Sequence, residues 1–349
     1  MSLVFIDGFD TYTSNGNLDP ASGATMFKGS GWANTSGFFC GAMSDTASGV
    51  GWALQTGVFA GARIAFNPVS DITYGIRFRT DVIISRQLLY FSGDDYFGGI
   101  TTQIALTASP SGVFGLEFNG STRINTPVNT FFPDTWHYIE LRMKCSGATD
   151  GYVELRVDGQ TVATYSGITT PSFSSINLLD FVATGPGAPN CYWDDMYIVS
   201  NDGVGVSGFQ GDCVVQPIFP NADAGPNSMS QFGGGVGHFT TVSEVVADDD
   251  SSYVYSNTSG QKEMFNLSDI PGDIIDILAI QIDARAKKDS AGIAQFKIDL
   301  TSGSNSVQSA PKTPGASYQR FSYIVEHDPS GAPWTRTLLQ NASVGVEIV

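Results

Sequence analysis

The sequence predicts an all-β protein with two domains. The chain has 349 residues, which is long enough for two domains, and it contains 40 glycines, 12% aromatic residues and only 15% charged residues. Short runs of alternating apolar and polar residues recur along it, and turn-forming residues separate these runs. No convincing amphipathic helix interrupts residues 1–203. These features are typical of many short strands joined by tight turns, as in a sandwich or a jelly roll.

The predicted N-terminal domain covers residues 1–203, and its clearest element is a hairpin over residues 136–158. Apolar residues alternate with polar ones on both strands: Ile139, Leu141, Met143, Val153, Leu155 and Val157. We therefore expect one face of this hairpin to be buried and the other to face water, as antiparallel sheets allow. The dipeptide Asp158-Gly159 then predicts a tight turn into a third strand.

The predicted C-terminal domain covers residues 204–349 and begins in a glycine-rich connector, "NDGVGVSGFQGD" (201–212). It is smaller, β-rich and sandwich-like, and we expect it to mediate docking or oligomerisation. The segment 273–279 is a helix-like apolar cluster and predicts one short helix. Strands are predicted in "YVYSN", "RFSYIVEHDPSG" and "SVGVEIV".

The composition excludes several classes of function. The net charge of −17 disfavours contact with nucleic acid or with an anionic membrane. No apolar run reaches the ~20 residues that span a bilayer. The N-terminus lacks a secretory signal, so we expect synthesis in the cytosol. The four cysteines are widely spaced, which argues against a zinc site and favours reduced thiols.

Several motifs resemble a known fold and a known class of proteins. The opening "FIDGFDTY", the hairpins "DTWHYIELRMK" and "GYVELRVDGQTVATYSG", and the closing "WDDMYIVSNDG" resemble the concanavalin A-like, laminin-G-like jelly roll. With "ADAGPNSMSQF", "DDDSSYVYS", "IQIDARAKKDSAG" and "DPSGAPWT" in the second half, the chain resembles bacteriophage virion proteins.

The resemblance implies a structural virion protein made in the host cytoplasm, either a particle-surface decoration or a tail or fibre component. Its implied partners are other virion proteins and further copies of the chain, with a trimer as the first expectation. The alternative function is a lectin-like carbohydrate-binding module that contacts a host-surface glycan, or a glycoside hydrolase.

The sequence predicts no catalytic and no cofactor-binding residues, so we expect the chain not to be an enzyme. Hydrolases of this fold carry a Glu-x-Asp-x-x-Glu motif on one strand, and that motif is absent. We interpret Glu140 and Glu154, which lie near Arg142 and Arg156, as exposed cross-strand charge pairs. The three histidines are scattered, and no phosphate-binding or nucleophile motif is present.

Two adjacent acids, Asp194 and Asp195, interrupt the last strand of the first domain. On simple alternation, Asp194 shares a face with Met196, while Asp195 shares the other with Trp193 and Tyr197. The resemblance to the jelly roll implies that the first and last strands are neighbours, which brings Asp7 close to these acids, and it implies that such carboxylates can hold a structural Ca²⁺. The alternative is that they cap turn amides at a strand end. The run Asp248–Asp250 is interpreted as a solvated turn.

Aromatic residues in glycine-rich segments are the candidate glycan contacts. Sugar sites combine exposed aromatic rings with neighbouring polar side chains, and Trp32, Tyr90, Tyr96 and Phe97 meet that description, with Phe91 a further candidate. Burial in a core is the alternative for each of them.

Overall fold

The structure is a computed structural model that describes residues 3–10, 32–34, 40–43, 53–56, 61–82, 85–94, 100–118, 121–170, 174–182, 190–203, 205–245, 247–272, 274, 276–289, 292 and 294–349. The chain divides into two compact units, of which the first runs to Gln216 and the second begins at Pro217. The all-β class predicted from the sequence is confirmed. Within the described ranges, no helix is long and apolar enough to cross a membrane.

The first unit is a sandwich of two antiparallel sheets. Its strands are β1 (Leu3–Asp7), β2 (Trp32–Asn34), β3 (Cys40–Met43), β4 (Ala53–Thr56), β5 (Gly61–Val69), β6 (Asp71–Thr80), β7 (Arg86–Asp94), β8 (Ile100–Ser109), β9 (Val113–Phe118), β10 (Ser121–Asn125), β11 (His137–Lys144), β12 (Gly151–Val157), β13 (Gln160–Gly167), β14 (Ile176–Val182) and β15 (Cys191–Ser200). The eight-stranded sheet has the order β13-β12-β11-β6-β15-β4-β3, with β1 also paired to β15. The seven-stranded sheet has the order β10-β9-β8-β7-β14-β5-β2.

The core of the sandwich lies between the two sheets. The fully buried Trp193 ring lies 4.9 Å from the ring of Phe78 in the same sheet and 5.0 Å from that of Phe181 in the opposite sheet. The indole N–H, which would be costly to bury alone, donates to the Thr56 hydroxyl at 3.0 Å. This aromatic cluster therefore joins the two layers without leaving a buried donor unpaired.

The predicted hairpin is confirmed. β11 and β12 pair in register from Ile139 opposite Val157 to Lys144 opposite Tyr152, and the apolar positions of both strands are in the core. Asp158 and Gly159 have φ values of 50° and 76°, which is the tight hairpin turn that this dipeptide favours. Period-two alternation thus predicted both the strands and their buried face.

The last strand of the sandwich contains a β-bulge at the paired acids. Its register with β6 shifts between Asp194 and Tyr197, and Asp195 has a φ of 50°. Because of the bulge, Trp193 and Met196 both face the core. The expectation that Trp193 and Tyr197 share a face is therefore wrong, since Tyr197 lies on the outer side of the sheet.

Residues 205–216, which we call the strap, pack across the outer face of the eight-stranded sheet. The Gly211 N–H donates to Glu140 at 2.8 Å, and the Val215 N–H donates to Asp195 at 2.7 Å. The guanidinium carbon of Arg156 lies 3.8 Å from the centroid of the Phe209 ring. The strap thus belongs to the first unit, so the first unit ends after Gln216 and not at the predicted boundary of 203/204.

The second unit contains one larger sheet and two short hairpins. Its strands are β16 (Pro220–Asn227), β17 (Ser230–Phe232), β18 (Tyr253–Tyr255), β19 (Lys262–Leu267), β20 (Ile280–Ala286), β21 (Phe296–Ser302), β22 (Asn305–Gln308), β23 (Gln319–Val325) and β24 (Ala342–Ile348). The larger sheet has the order β16-β19-β24-β21-β22, while β17 pairs with β18 and β20 pairs with β23. A 3₁₀ turn spans His238–Thr241.

The core of the second unit is built around Leu300, Trp334 and Leu339. The helix predicted over 273–279 is wrong, because the described residues of that segment form no helix. The short helix of this unit is instead α1 (Arg336–Gln340), which Thr335 caps by accepting from the Leu338 N–H at 3.2 Å. The apolar cluster at 273–279 reflects packing, since Ile274 and Ile277 contact this core.

Candidate functional site

The outer face of the seven-stranded sheet carries a row of polar side chains. Alternation turns the apolar residues of each strand toward the core and leaves the others on this face. In the row, each residue lies directly opposite the next one on the neighbouring strand. The order is Arg63 (β5), Asp180 (β14), Tyr90 (β7), Ala105 (β8) and Glu117 (β9). At the usual strand spacing the row is about 19 Å long.

An ion pair forms one end of the row. Arg63 donates to Asp180 through Nε at 2.6 Å and through Nη2 at 3.1 Å. This bidentate geometry holds both side chains in one orientation. Asp180 is 5% exposed, so the guanidinium shields most of its carboxylate from solvent.

The centre of the row is Tyr90. Its hydroxyl donates to the side-chain carbonyl of Gln87, whose amide donates to Glu117 at 3.4 Å. Burial raises the pKa of the Tyr90 phenol, and the negative charges of Glu117 and Asp180 raise it further. The phenol is therefore a neutral hydrogen-bonding group at neutral pH. We call Arg63, Asp180, Tyr90, Gln87 and Glu117 the polar face.

The floor between Tyr90 and Glu117 consists of small residues. Ala105 lies between them in the row and is 4% exposed. Gly115 lies in the adjacent row, where an added Cβ would come within 2.6 Å of the Thr107 hydroxyl and 2.9 Å of the Asn125 side-chain oxygen. The polar groups therefore stand above a shallow floor made of backbone and methyl groups.

On the outer face of the eight-stranded sheet, the strap binds polar groups of three residues, Glu140, Asp195 and Tyr197. Glu140 is 1% exposed and accepts from the Tyr197 hydroxyl at 2.5 Å. The interpretation of Glu140 as an exposed charge pair is wrong for this reason. Glu154 lies opposite Arg142 in register and accepts from Arg156 on its own strand at 2.8 Å.

The predicted calcium ligands are brought to one region but serve other contacts. The first and last strands pair as expected, with Asp7 opposite Met196. Asp7 accepts from the Phe9 N–H at 2.8 Å, and Asp194 accepts from the Asp195 N–H at 2.9 Å. Asp195 contacts the Val215 N–H and, at 3.0 Å, Arg77. No group of three metal-ligating side chains exists among the described residues, and the Ca²⁺ site stays a prediction.

The acidic run in the second unit forms ion pairs. Asp249 accepts from Arg285 at 2.6 Å and 3.1 Å, and Asp250 pairs with Lys287. The run is a turn, as predicted, but two of its charges are paired with cations at the end of β20, Arg285 and Lys287. Asp248 instead caps the turn by accepting from the Ser252 N–H at 3.2 Å.

Of the four predicted glycan contacts, Tyr90 is placed on the polar face. The backbone of Trp32 pairs with Ile64 in β2, and its side chain lies outside what the structure describes, as do Tyr96 and Phe97. Phe91 is fully buried in the core. Arg63, Asp180 and Glu117 were missed, although each occupies a polar position in an alternating run.

No family profile and no curated protein sequence matches the chain. It is similar in structure to an endo-β-1,4-glucuronan lyase from the fungus Trichoderma reesei, at 13% identity and a TM-score of 0.36, over 48% of this chain and 87% of the lyase. It is similar to an alginate lyase in complex with alginate trisaccharide, at 12% identity and a TM-score of 0.42, over 56% and 98%. A sialidase matches at 14% identity and a TM-score of 0.40, over 57% of this chain and 19% of its own.

The prediction that the chain is not an enzyme is wrong against these neighbours, which are lyases and a sialidase. It depended on the absence of a hydrolase motif.

The virion location, the phage-protein partners and the trimer stay predictions from the sequence resemblance.

Three cysteines of the described residues, Cys145, Cys191 and Cys213, are free thiols. Burial raises the pKa of both Cys145 and Cys213 to about 12, so neither is a reactive thiolate at neutral pH.

Proposed function

We propose that the N-terminal sandwich binds a polysaccharide chain across the polar face. The observation that carries the proposal is the half-buried Tyr90 ring, which stands between Asp180 and Glu117 in one cross-strand row and is tied to Gln87. A sugar presents apolar C–H faces and a rim of hydroxyls. An aromatic ring flanked by planar polar groups complements both features.

The polar face is organised before any ligand arrives. The ion pair between Arg63 and Asp180 and the hydrogen bonds among Tyr90, Gln87 and Glu117 limit the rotamers of five long side chains. Ordering such side chains on binding costs about 0.5–1.5 kcal/mol each. Since that cost is already met in the folded state, more of the contact energy becomes affinity.

The row also has the extent and direction that a linear polymer requires. It crosses five neighbouring strands, roughly perpendicular to them, so a chain lying along it meets a different side chain at each strand. Because Ala105 and Gly115 have at most a methyl side chain, the polymer can approach the backbone of the sheet between Tyr90 and Glu117. On the opposite outer face, the strap occupies the region around Glu140, Asp195 and Arg156.

The experiment measures binding of the full chain to a panel of neutral and acidic polysaccharides by affinity electrophoresis, followed by calorimetry on positive ligands. We expect Tyr90→Ala to weaken binding about tenfold or more, equivalent to about 1.4 kcal/mol. The matched control is Tyr152→Ala, because Tyr152 is a half-buried tyrosine whose hydroxyl also bonds a side chain, but on the other sheet.

Two results would refute the proposal: no binding to any polysaccharide, or equal losses in the two tyrosine variants. The same polysaccharides are incubated with the protein and read for new reducing ends, which report cleavage by either route, and for the ultraviolet absorbance of an unsaturated product, which appears only on elimination.

A further inference from the structure

The charges of the polar face restrict the kind of polysaccharide that it accepts. The face contains one described cation, Arg63, and two described anions, Asp180 and Glu117. The argument rests on the proposed function, because it concerns the ligand of that same face.

Arg63 has little capacity to neutralise an incoming anion. Two of its donors are already engaged by Asp180, at 2.6 Å and 3.1 Å, and the pair as a whole is neutral. A ligand carboxylate would have to displace Asp180, which is 5% exposed, and leave a buried carboxylate without its partner.

Glu117, in contrast, has no counter-charge among the side chains that the structure describes. Its recorded partner is the neutral amide of Gln87, and no cation of the described residues lies within ion-pair distance of it. It lies two strands from Tyr90 in the row, and after burial its negative charge further raises the pKa of the Tyr90 phenol. A carboxylate at this point of the row would meet like charge, while a sugar hydroxyl would donate a charge-assisted hydrogen bond.

We infer that the ligand of the polar face is an uncharged polysaccharide whose hydroxyls donate to Glu117 and Asp180, and not a uronic acid polymer. The net charge of −17 acts in the same direction, because it repels a polyanion before contact is made.

The first test compares neutral with acidic members of the polysaccharide panel, and includes cellohexaose against its C6-oxidised hexa-uronate, which differ only in the carboxylates. Binding to neutral members with at least about tenfold weaker binding to acidic ones supports the inference. Tighter binding to acidic members overturns it while the proposed function stands. Binding to no member overturns both.

The second test reverses the local charge. Asp180→Asn leaves Arg63 with an uncompensated positive charge, so we expect affinity for acidic polysaccharides to rise about tenfold and to fall again with added salt. Glu117→Gln removes the repelling charge and is expected to act in the same direction. It provides a second variant if Asp180→Asn fails to fold.

The control is Asp249→Asn in the second unit, because Asp249 holds Arg285 at the same distances of 2.6 Å and 3.1 Å. It changes the net charge of the chain equally and is expected to leave selectivity unchanged. If Asp180→Asn and Glu117→Gln both fold and neither gains affinity for acidic polymers over this control, the inference is overturned.

Discussion

The Tyr197 hydroxyl donates a 2.5 Å hydrogen bond to Glu140 across the strand that separates them. Gly75 of that intervening strand pairs with both residues in register. A Cβ on Gly75 would lie 2.1 Å from the Tyr197 ring, so the glycine makes the space in which the ring crosses β6. The strap then binds to this pair, since the Gln210 N–H donates to the Tyr197 hydroxyl at 3.1 Å.

Replacing Gly75 with alanine is expected to displace the Tyr197 ring and break its bond to Glu140. Overpacking costs about 1–3 kcal/mol and a hydrogen bond to a charged group contributes about 1.5–3 kcal/mol, so we expect a loss of about 3 kcal/mol or more. Urea unfolding of the full chain measures the loss. The control is Gly272→Ala, whose added methyl has only Arg336 within 4 Å, at 3.9 Å. Equal stability of the two variants would contradict the expectation.

Neutralising Glu140 tests the attachment of the strap. In Glu140→Gln one carboxylate oxygen is replaced by an amide donor, so the Tyr197 and Gly211 bonds weaken, at a cost of about 1.5–3 kcal/mol. We also expect faster proteolysis within the strap. The control is the surface variant Asp150→Asn, which breaks the exposed ion pair with Lys144. It should lose less unfolding free energy than Glu140→Gln and leave the proteolysis rate of the strap unchanged. Unchanged proteolysis of Glu140→Gln would show that the strap is held by other contacts.

Asp195 makes the stability of the sandwich depend on pH. Burial raises its pKa to about 6, although the Val215 N–H and Arg77 act in the opposite direction. The folded state therefore binds more protons than the unfolded state between about pH 4 and 6, and stability falls as pH rises through that window. As pH rises from about 4 to 6, the free energy of unfolding of Asp195→Asn should increase relative to that of the wild type by up to about 3 kcal/mol.

The control for that experiment has the opposite sign. Burial alone would raise the pKa of Asp283, but Arg320 and the hydroxyl of Ser322 lower it below the usual value. The Asp283 carboxylate stabilises the fold above its unfolded-state pKa, and this stabilisation is lost as pH falls. The free energy of unfolding of Asp283→Asn should therefore rise relative to that of the wild type on acidification. Unfolding curves at several pH values measure both variants. Parallel curves for wild type and Asp195→Asn would contradict the assignment.

A buried ion pair in the second unit provides a further prediction. Asp299 is fully buried, and Lys262 lies 3.2 Å from its carboxylate. Removing one partner of a buried pair leaves an uncompensated charge, so Lys262→Met should cost about 3–5 kcal/mol. The double variant Lys262→Met/Asp299→Leu should recover most of that loss, because apolar replacement of a whole pair is close to neutral. Chemical denaturation measures both, and a single-variant loss under about 1 kcal/mol would contradict the prediction.

The parts of the fold that were predicted correctly depend on local sequence patterns. The β11–β12 hairpin and the Asp158-Gly159 turn follow from alternation and from the φ preferences of two residues. Where alternation was carried through Asp194 and Asp195 it was wrong, because a bulge shifts the register there. The bulge is held in part by the Val215 N–H, twenty residues later, which no local pattern reveals.

The candidate site was predicted only in its aromatic residue. Tyr90 was chosen because aromatic rings contact sugars. Arg63, Asp180 and Glu117 are single polar residues in three separate alternating runs, and alternation shows only that each faces outward. Arg63 and Asp180 are 117 residues apart, and they meet because β5 and β14 pair in one register.

The sequence by itself determined the β class, the main hairpin of the sandwich and the buried side of its two strands, because these depend on neighbours within a few positions. Tertiary structure alone decided which outer face is covered and which polar residues share a row. Those outcomes depend on strand order and register, and pairing between distant segments sets both.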